Sequence, residues 1–315
     1  MSDVTVRQAR LDDHEAVAAF TRQTWSDRDL EDWIPEAFPE WIETDGDDQR
    51  TLVATVDDEV CGICQGVLLS PGEAWIQALR VHPEYRGHGV SRRMTEQLLE
   101  WCHDRGAVVA RNMVFAWNGA GLGQSRAAGL EPATEFRYVS PDPAAGADPS
   151  DHGPEDATAV VDPAAAWRYW TESDAREHLR GLVADDEESW ALRELTRDDL
   201  ERAAEDDGAI AVQTADGTIA MAVRSRIDTR PAETATGAAD SEERVAVYGA
   251  TAWDDLEACA ALISAIAADA AAIGADDTKV VIPETARHVS DVAACRVEIG
   301  EEPDFVLAAD LSGQD

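Results

Sequence analysis

The run Leu79-Arg80-Val81-His82-Pro83-Glu84-Tyr85-Arg86-Gly87-His88-Gly89-Val90-Ser91-Arg92-Arg93-Met94 reads as a strand end, a glycine turn and a helix start. Pro83 helps to end the strand. The helix predicted from Val90 to about Arg105 carries Met94, Leu98, Leu99 and Trp101 on one face. Its first backbone N–H groups have no intrahelical partner. Gly87 and Gly89 remove side chains there, so a polyanion can approach those amides, and the helix dipole favours the same negative charge. Arg86, Arg92 and Arg93 add a basic cluster, and a pyrophosphate is the natural guest. The spacing is not Gly-x-Gly-x-x-Gly, which argues against a dinucleotide fold, and no Gly-Lys-Ser/Thr exists to make a Walker loop.

Working outward, Val4–Ala9 reads as a first strand, and Asp12-Asp13 then opens a helix with Ala16, Val17, Phe20 and Thr24 at helical spacing. An aromatic-rich segment runs from Leu30 to Trp41. Thr51–Val56 and Val60–Leu69 flank Asp57-Asp58-Glu59 as a hairpin, and Ala74–Val81 is the strand entering the glycine turn. Beyond the motif helix come a β-rich run, Ala107–Phe115, a weak helix, Gly119–Ala128, and a closing strand, Phe136–Val139. The fold class expected is α/β of the α+β kind.

With these residues in place, Arg86-Gly87-His88-Gly89-Val90-Ser91 resembles the signature of the GNAT superfamily of N-acetyltransferases. That signature is Arg/Gln-x-x-Gly-x-Gly/Ala after a Val-x-Pro strand end, and Ser91 stands here for the final Gly or Ala. The resemblance implies a mixed, mostly antiparallel sheet flanked by helices, and residues 4–139 follow the family's element order. It implies transfer of an acetyl group from acetyl-CoA to an amine. Arg86, Gly87, His88, Gly89, Val90 and Ser91 would cradle the pyrophosphate. Backbone groups near Leu79 and Val81 would hold the thioester and pantetheine, and Asn118 matches the Asn that contacts the pantetheine arm. The family's Tyr that protonates the leaving thiolate falls on Ser125, whose hydroxyl can serve only as a relay to water. The base comes from a strand carboxylate or from ordered water. Glu73 is the nearest such carboxylate, while the inward position holds Gln77, which cannot take a proton.

In such proteins the region between the first strand and the hairpin covers the acceptor. Here it holds Asp32-Trp33-Ile34-Pro35-Glu36 and Trp41, and it faintly resembles the corresponding segment of vertebrate histidine N-acetyltransferases. A primary amine of a small molecule such as an amino acid is the acceptor this implies. A packing role for Trp33, Phe38 and Trp41 fits the same residues equally well.

Across the 315 residues, 26 Lys+Arg stand against 64 Asp+Glu, a formal net charge of −38. Lys279 is the only lysine. Such a chain repels DNA phosphates and anionic lipid, so neither nucleic acid nor membrane is expected as a partner. The 10 Trp and 44 % hydrophobic content exclude a wholly disordered chain. A folded protein with a carboxylate-coated, lysine-poor surface resembles those of salt-in halophiles, where ionic strength screens the self-repulsion. Five scattered cysteines fit a reducing cytoplasm better than a disulfide framework. Met1-Ser2-Asp3 shows no basic n-region, and Ala258–Gly274 is broken by Ser264 and Asp269, so a cytoplasmic location is expected.

Ser140–Ala165 is rich in Pro, Ala, Asp and Gly without apolar period and reads as a linker. The organisation expected is an acetyltransferase domain at 1–140, a linker at 141–165, and a second, degenerate GNAT-like domain at 166–315. In that second part Ser173–Ala184 and Arg197–Ala204 read as helices, and Ala209–Thr214 with Ile219–Arg226 as a hairpin about Asp216-Gly217. A polar loop at Asp228–Glu243 follows, then a strand, Val245–Ala250, and a long helix, Asp255–Ile273. Thr278–Ile282 (strand), Val289–Ile299 (helix) and Phe305–Ala309 (strand) close the chain. The order echoes the first half, as a tandem repeat would. The glycine turn is missing, and Asp254 and Asp255 would repel a pyrophosphate at that helix start.

Cys61-Gly62-Ile63-Cys64 lies on a strand with its thiols on opposite faces, and the histidines show no ligand spacing, so no metal is assigned. The rival to an enzyme is a non-catalytic acyl-CoA-binding sensor, which Gln77 and Ser125 keep open. The oligomeric state is open as well, a homodimer included.

Overall fold

The computed structural model describes residues 4–22, 24, 32–231 and 242–313. Packing divides the chain into two compact units, Met1–Ala133 with Val306–Asp315, and Thr134–Phe305.

The first unit begins with β1 (Val4–Gln8), α1 (His14–Thr21) and α2 (Ile34–Thr44). Leu30 and Glu31, the start of the expected aromatic segment, lie outside the described residues. A hairpin follows, β2 (Gln49–Val56) and β3 (Glu59–Ser70), then β4 (Glu73–Val81), α3 (Val90–Asp104), β5 (Val109–Phe115) and α4 (Gly119–Ala127). The hairpin turn puts Asp57 and Asp58 at φ 50° and 67°, the pair of left-handed residues that a two-residue turn demands. The strands lie in the order β1-β2-β3-β4-β5, antiparallel except for the parallel pair β4 and β5.

Each face of this sheet is covered for a reason legible in side-chain size. α3 buries Val90, Met94, Leu98, Leu99 and Cys102. It comes close because β3 presents Gly62 and Gly66, where a Cβ would meet Met94 Cε at 2.7 Å and Leu98 Cδ1 at 2.9 Å. Val17, Phe20, Ile34, Phe38 and Trp41 of α1 and α2 form another core with Val53 and Ile63. Phe38 and Trp41 are thus packing residues, while Trp33 stays exposed with its ring edge-on to Trp41 at 5.1 Å.

The second unit takes most of β6 (Glu131–Ser140), then β7 (Thr158–Val161), α5 (Pro163–Glu172), α6 (Asp174–His178), β8 (Leu182–Ala184), β9 (Leu192–Glu194) and α7 (Arg197–Glu205). It continues through β10 (Ala209–Thr214), β11 (Gly217–Pro231), β12 (Glu242–Trp253), α8 (Leu256–Ala272), β13 (Asp277–Pro283), α9 (Ala286–Ala294) and β14 (Glu298–Ile299). Its main sheet runs β6-β13-β12-β11-β10-β7, again with one parallel pair, β12 and β13, joined by the long helix α8. Asp255 caps α8, its carboxylate accepting from the Ala258 amide at 2.9 Å. Asp269, the charge that interrupts the alanine-rich helix, accepts from Tyr248 Oη at 2.5 Å and lies 3.2 Å from Arg224 Nε.

The last strand, β15 (Asp304–Asp310), joins the first unit from Val306 onward, beside β5, and Leu311 N–H donates to Val108 C=O at 2.9 Å. Phe136–Val139 pairs antiparallel with β13 in the second unit.

Several elements differ from expectation. Within Ser140–Ala165 the chain forms the edge strand β7 and enters α5, because Asp162 caps Ala165 N–H at 2.9 Å and Pro163 stands at the first helical position. The helix expected over Ser173–Ala184 stops at His178, since Arg180 and Gly181 are left-handed (φ 56° and 79°), and β8 follows. The loop expected at Asp228–Glu243 is strand at both ends, with Asp228 opposite Val245, and its interior, 232–241, lies outside the described residues. The last expected helix ends at Ala294, before left-handed Arg296. No helix among the described residues is long and apolar enough to cross a membrane.

Candidate active site

β4 and β5 pair only over Glu73–Trp75 and Val109–Arg111. Beyond that point β4 follows β3, and its register slips by one residue between Gln77 and Arg80. The slip is a bulge. Ala78 takes φ 57°, a conformation that costs an L-residue roughly 1–2 kcal/mol and that turns the following backbone off the ladder. A cleft therefore opens between the strands at the end of β4 that holds Leu79 and Val81.

The glycine turn closes the same end. His82–Tyr85 makes a short 3-10 turn, Arg86 is extended, and Gly87 and Gly89 are left-handed at φ 77° and 79°. Gly89 is the N-cap of α3, no side chain caps that helix, and its first turn holds no acidic residue. A Cβ built on either glycine meets nothing within 4 Å, so the space over the uncapped amides is open. Arg86 donates from Nε to the Val81 carbonyl at 3.3 Å, and the His88 ring nitrogen Nδ1 lies 3.0 Å from the Arg86 carbonyl. Val90 is buried, Ser91 is half-buried, and Arg92 pairs with Glu96 at 2.7 Å. The turn fits a pyrophosphate by shape, by donor supply and by charge.

Across the cleft, Asn118 caps α4, its Oδ1 accepting from Gly121 N–H at 2.9 Å, and Phe115 stacks on Trp117 with centroids 5.2 Å apart. Ser125, on α4, is 1 % exposed, and Asn112 Nδ2 donates to its hydroxyl at 2.9 Å. Because Ser125 Oγ accepts from Asn112, its own proton is directed elsewhere.

Glu73 sits at the opposite, paired end of β4, where it lies 3.3 Å from Arg111 Nη1. Six residues of strand, roughly 20 Å, separate it from Leu79. The structure brings Leu79, Val81, the glycine turn and Asn118 to one end of the sheet and leaves Glu73 at the other.

Gln77 belongs to a polar chain that sequence reasoning missed. Its amide donates to Gln65 Oε1 at 2.8 Å, Gln65 donates to Thr51 Oγ1 at 3.2 Å, and Thr51 donates to Asp45 Oδ1 at 2.9 Å. Thr51 and Gln65 are fully buried. The signal was a single glutamine in the middle of each of two apolar strands. Asp32, the first described residue of the segment expected to cover an acceptor, lies with Oδ2 2.8 Å from Arg80 Nε, just past the bulge.

Residues 14–118 match the model of the Acetyltransferase (GNAT) family, a span that includes the splayed strands, the glycine turn and Asn118. This segment is a GNAT acetyltransferase domain. The whole chain shares its fold with the GCN5-related N-acetyltransferase from Sphaerobacter thermophilus (TM-score 0.61, 14 % identity, covering 98 % of this chain and 96 % of that one). A putative acetyltransferase from Thermoplasma acidophilum is similar (TM-score 0.56, 13 % identity, 97 % and 99 % covered). No curated protein matches. The GNAT domain accounts for the mixed, mostly antiparallel sheet of the first unit, and Ser125 lies beyond its matched span.

The Cys-x-x-Cys of the GNAT domain is core: Cys61 and Cys64 are fully buried, and burial pushes both thiols up. Among the described residues no group of three His, Cys, Asp or Glu side chains is placed to hold a metal ion.

Proposed function

We propose that this protein is an acetyl-CoA-dependent N-acetyltransferase whose acceptor is a primary amine of a small molecule such as an amino acid. The observation that carries the reading is the pair of left-handed glycines at an uncapped helix start, under open space, beside a strand end that splays from its neighbour.

Arg86, Gly87, His88, Gly89, Val90 and Ser91 would hold the pyrophosphate, and Leu79, Val81 and Asn118 the pantetheine arm. Acetyl-CoA, when bound, supplies an acyl group activated as a thioester. The protein's own part is to orient, to exclude water and to manage two protons. Ser125, oriented by Asn112, directs its proton away from β5 and relays one toward a leaving thiolate. The incoming amine loses its proton to ordered water, since the amide of Gln77 has no basic site and Glu73 is engaged by Arg111. The Asp45–Thr51–Gln65 chain fixes the Gln77 amide with its NH2 turned inward, which favours an N–H donor facing its carbonyl oxygen.

A GNAT domain at 1–140 and a degenerate GNAT-like domain after it follow the chain order of an internal repeat, the stretch 141–165 between them holding β7 and the start of α5. One parallel strand pair joined by one long helix in each unit supports that reading. Asp255, capping α8, fills the place that glycine has in the first unit.

Calorimetric titration of acetyl-CoA at high KCl, followed by thiol release with a panel of amines, tests the proposal. Saturable binding with thiol release on amine addition supports it. Binding without turnover by any amine replaces it with the acyl-CoA sensor, and no binding refutes both.

A further inference from the structure

The second unit holds a cavity of about 330 Å³ that shares no residue with the glycine turn. It opens because β10 begins at Ala209 while β11 runs on to Pro231. Arg224 N–H still donates to the Gly208 carbonyl at 2.9 Å, and past that point β10 has no residue to pair with β11. The register against β12 slips on either side of Arg224, a bulge that leaves Ser225 unpaired in the ladder. The open edge of β11 forms one wall, the end of α7 a second, and β8 with β9 a third.

The charged groups of these walls are unequally occupied. Arg193 is saturated, its nitrogens donating to Asp185, Asp186 and Asp199 at 2.8, 2.8 and 2.7 Å. Arg202 pairs with the same Asp186 and Asp199. Arg224, 8 % exposed, is not saturated. Its Nη2 donates to the Asp206 carbonyl, its Nε lies 3.2 Å from Asp269 Oδ2 without a hydrogen bond, and its Nη1 makes none among the described residues. Arg226 donates from Nε to Asp228 at 2.7 Å and from Nη1 to the Asp185 carbonyl, which leaves Nη2 without an acceptor among the described residues. A guanidinium carries five N–H donors, and burying them without acceptors costs stability. Asp206, exposed at the mouth of the cavity, is the converse case: its carboxylate has no hydrogen bond or ion pair among the described residues.

We propose that this cavity binds a free α-amino acid with a small aliphatic side chain. A bare anion would meet the Asp206 carboxylate, and a bare cation would meet Arg224 and Arg226, whereas a zwitterion satisfies both. Its carboxylate accepts from the two guanidinium groups and its ammonium donates to Asp206. Its side chain lies against Val183, Leu195 and Ile227, the apolar part of the lining. Sites for small molecules span about 300–1,000 Å³, and this one stands at the low end, where a single amino acid fits. The site lies wholly outside residues 14–118, so it stands whether or not the GNAT domain proves catalytic.

Calorimetric titration of the full-length protein with L-leucine at high KCl tests the assignment. Isocaproate and isoamylamine, which are leucine without its ammonium and without its carboxylate, serve as controls. Leucine is expected to bind saturably, and each control to bind weaker by roughly tenfold or more, the contribution of a hydrogen bond to a charged group. Asp206→Asn, an exposed change that keeps the side chain's size, weakens leucine by a similar factor and leaves Tm unchanged. Arg226→Gln weakens it in the same direction. Gly89→Glu, in the first unit, leaves leucine binding as it is, which separates this cavity from any acceptor site beside the glycine turn. Absence of leucine binding overturns the proposal, as do controls that bind as tightly as leucine. Undiminished binding in Asp206→Asn, or binding lost in Gly89→Glu, overturns it as well.

Discussion

Arg80 Nε lies 2.8 Å from Asp32 Oδ2, and the other carboxylate oxygen of Asp32 accepts from the Ile34 amide at 3.1 Å. One buried carboxylate thus starts α2 and grips the strand immediately after the bulge that opens the cleft. Burial pulls the guanidinium of Arg80 below its ordinary range, with Asp32 opposing. The pair couples the helix expected to cover an acceptor to the backbone expected to hold a thioester. Asp32 and Arg80 each drew attention in the sequence for separate reasons, and their contact is what the fold adds.

Breaking that pair from one side leaves an uncompensated buried charge. Asp32→Asn is expected to cost about 3–5 kcal/mol, while Asp32→Leu combined with Arg80→Leu costs less than the single change. Urea unfolding of the two variants decides it; equal losses would mean that packing, not charge, is what Asp32 contributes.

Gly89→Glu places a carboxylate at the uncapped helix start and is expected to abolish acetyl-CoA binding. Gly89→Ala strains a left-handed residue by roughly 1–2 kcal/mol but meets no neighbour, so it keeps measurable binding. Calorimetry on the two proteins separates a blocked site from a merely strained one. Wild-type affinity in the glutamate variant would move the phosphate site elsewhere.

The glycine turn was legible in the sequence because its requirement is local: two residues at positive φ before an amphipathic helix admit little but glycine. The bulge was not, because Ala78 reaches φ 57° only where β3 and the opening cleft enforce it, and alanine carries no mark of that. The polar chain from Asp45 to Gln77 was invisible for a related reason, since Thr51, Gln65 and Gln77 become neighbours only through strand register. Phe136–Val139 and Phe305–Ala309 form strands as the sequence predicts, yet alternation says nothing about which sheet a strand enters: Phe136–Val139 belongs to the second unit, paired with β13, and the chain from Val306 onward belongs to the first. Asp162-Pro163 was an open helix-start signal lost in the composition of the linker around it.

Ser125→Ala is expected to lower kcat by roughly a hundredfold, the low end of a general acid–base contribution, with the affinity for acetyl-CoA unchanged. Asn112→Ala, which removes the donor to Ser125 Oγ, should lower kcat in the same direction by a smaller factor. Steady-state kinetics with saturating amine measures both. A kcat within twofold of wild type in Ser125→Ala would leave water alone to protonate the thiolate.

Gly249 of β12 has no room for a methyl group. A Cβ there would lie 2.2 Å from Ser225 Oγ, 2.6 Å from Val183 Cγ2 and 2.9 Å from the Ala184 carbonyl oxygen. The last of these is backbone of β8, which cannot rotate aside as a side chain can. Gly249→Ala is expected to destabilise by about 1–3 kcal/mol, and Gly123→Ala, on the exposed face of α4 with open space around it, is expected to be neutral or slightly stabilising. Thermal unfolding of the pair tests whether the approach of β8 to β12 is as tight as the distances state.

His288 makes the protein's acid sensitivity predictable. It is 2 % exposed, its Nδ1 lies 2.7 Å from Thr285 Oγ1, and Arg287 donates to its Nε2 at 3.0 Å. An N–H donor on Nε2 requires a neutral ring. Burial, reinforced by Arg287 and opposed by Asp174, lowers its pKa from 6.5 to about 4. In the unfolded chain the ring takes its proton first as pH falls through 6.5, so the folded state loses stability progressively from there down to about 4. Between those limits the loss from this one residue is on the order of 3 kcal/mol. His288→Gln keeps a polar side chain without a titratable ring. Its urea-unfolding free energy is expected to fall less than the wild type's between pH 7 and pH about 4.5, with the carboxylates common to both proteins cancelling in the comparison. Parallel pH profiles for the two proteins would assign the acid sensitivity to the carboxylates instead.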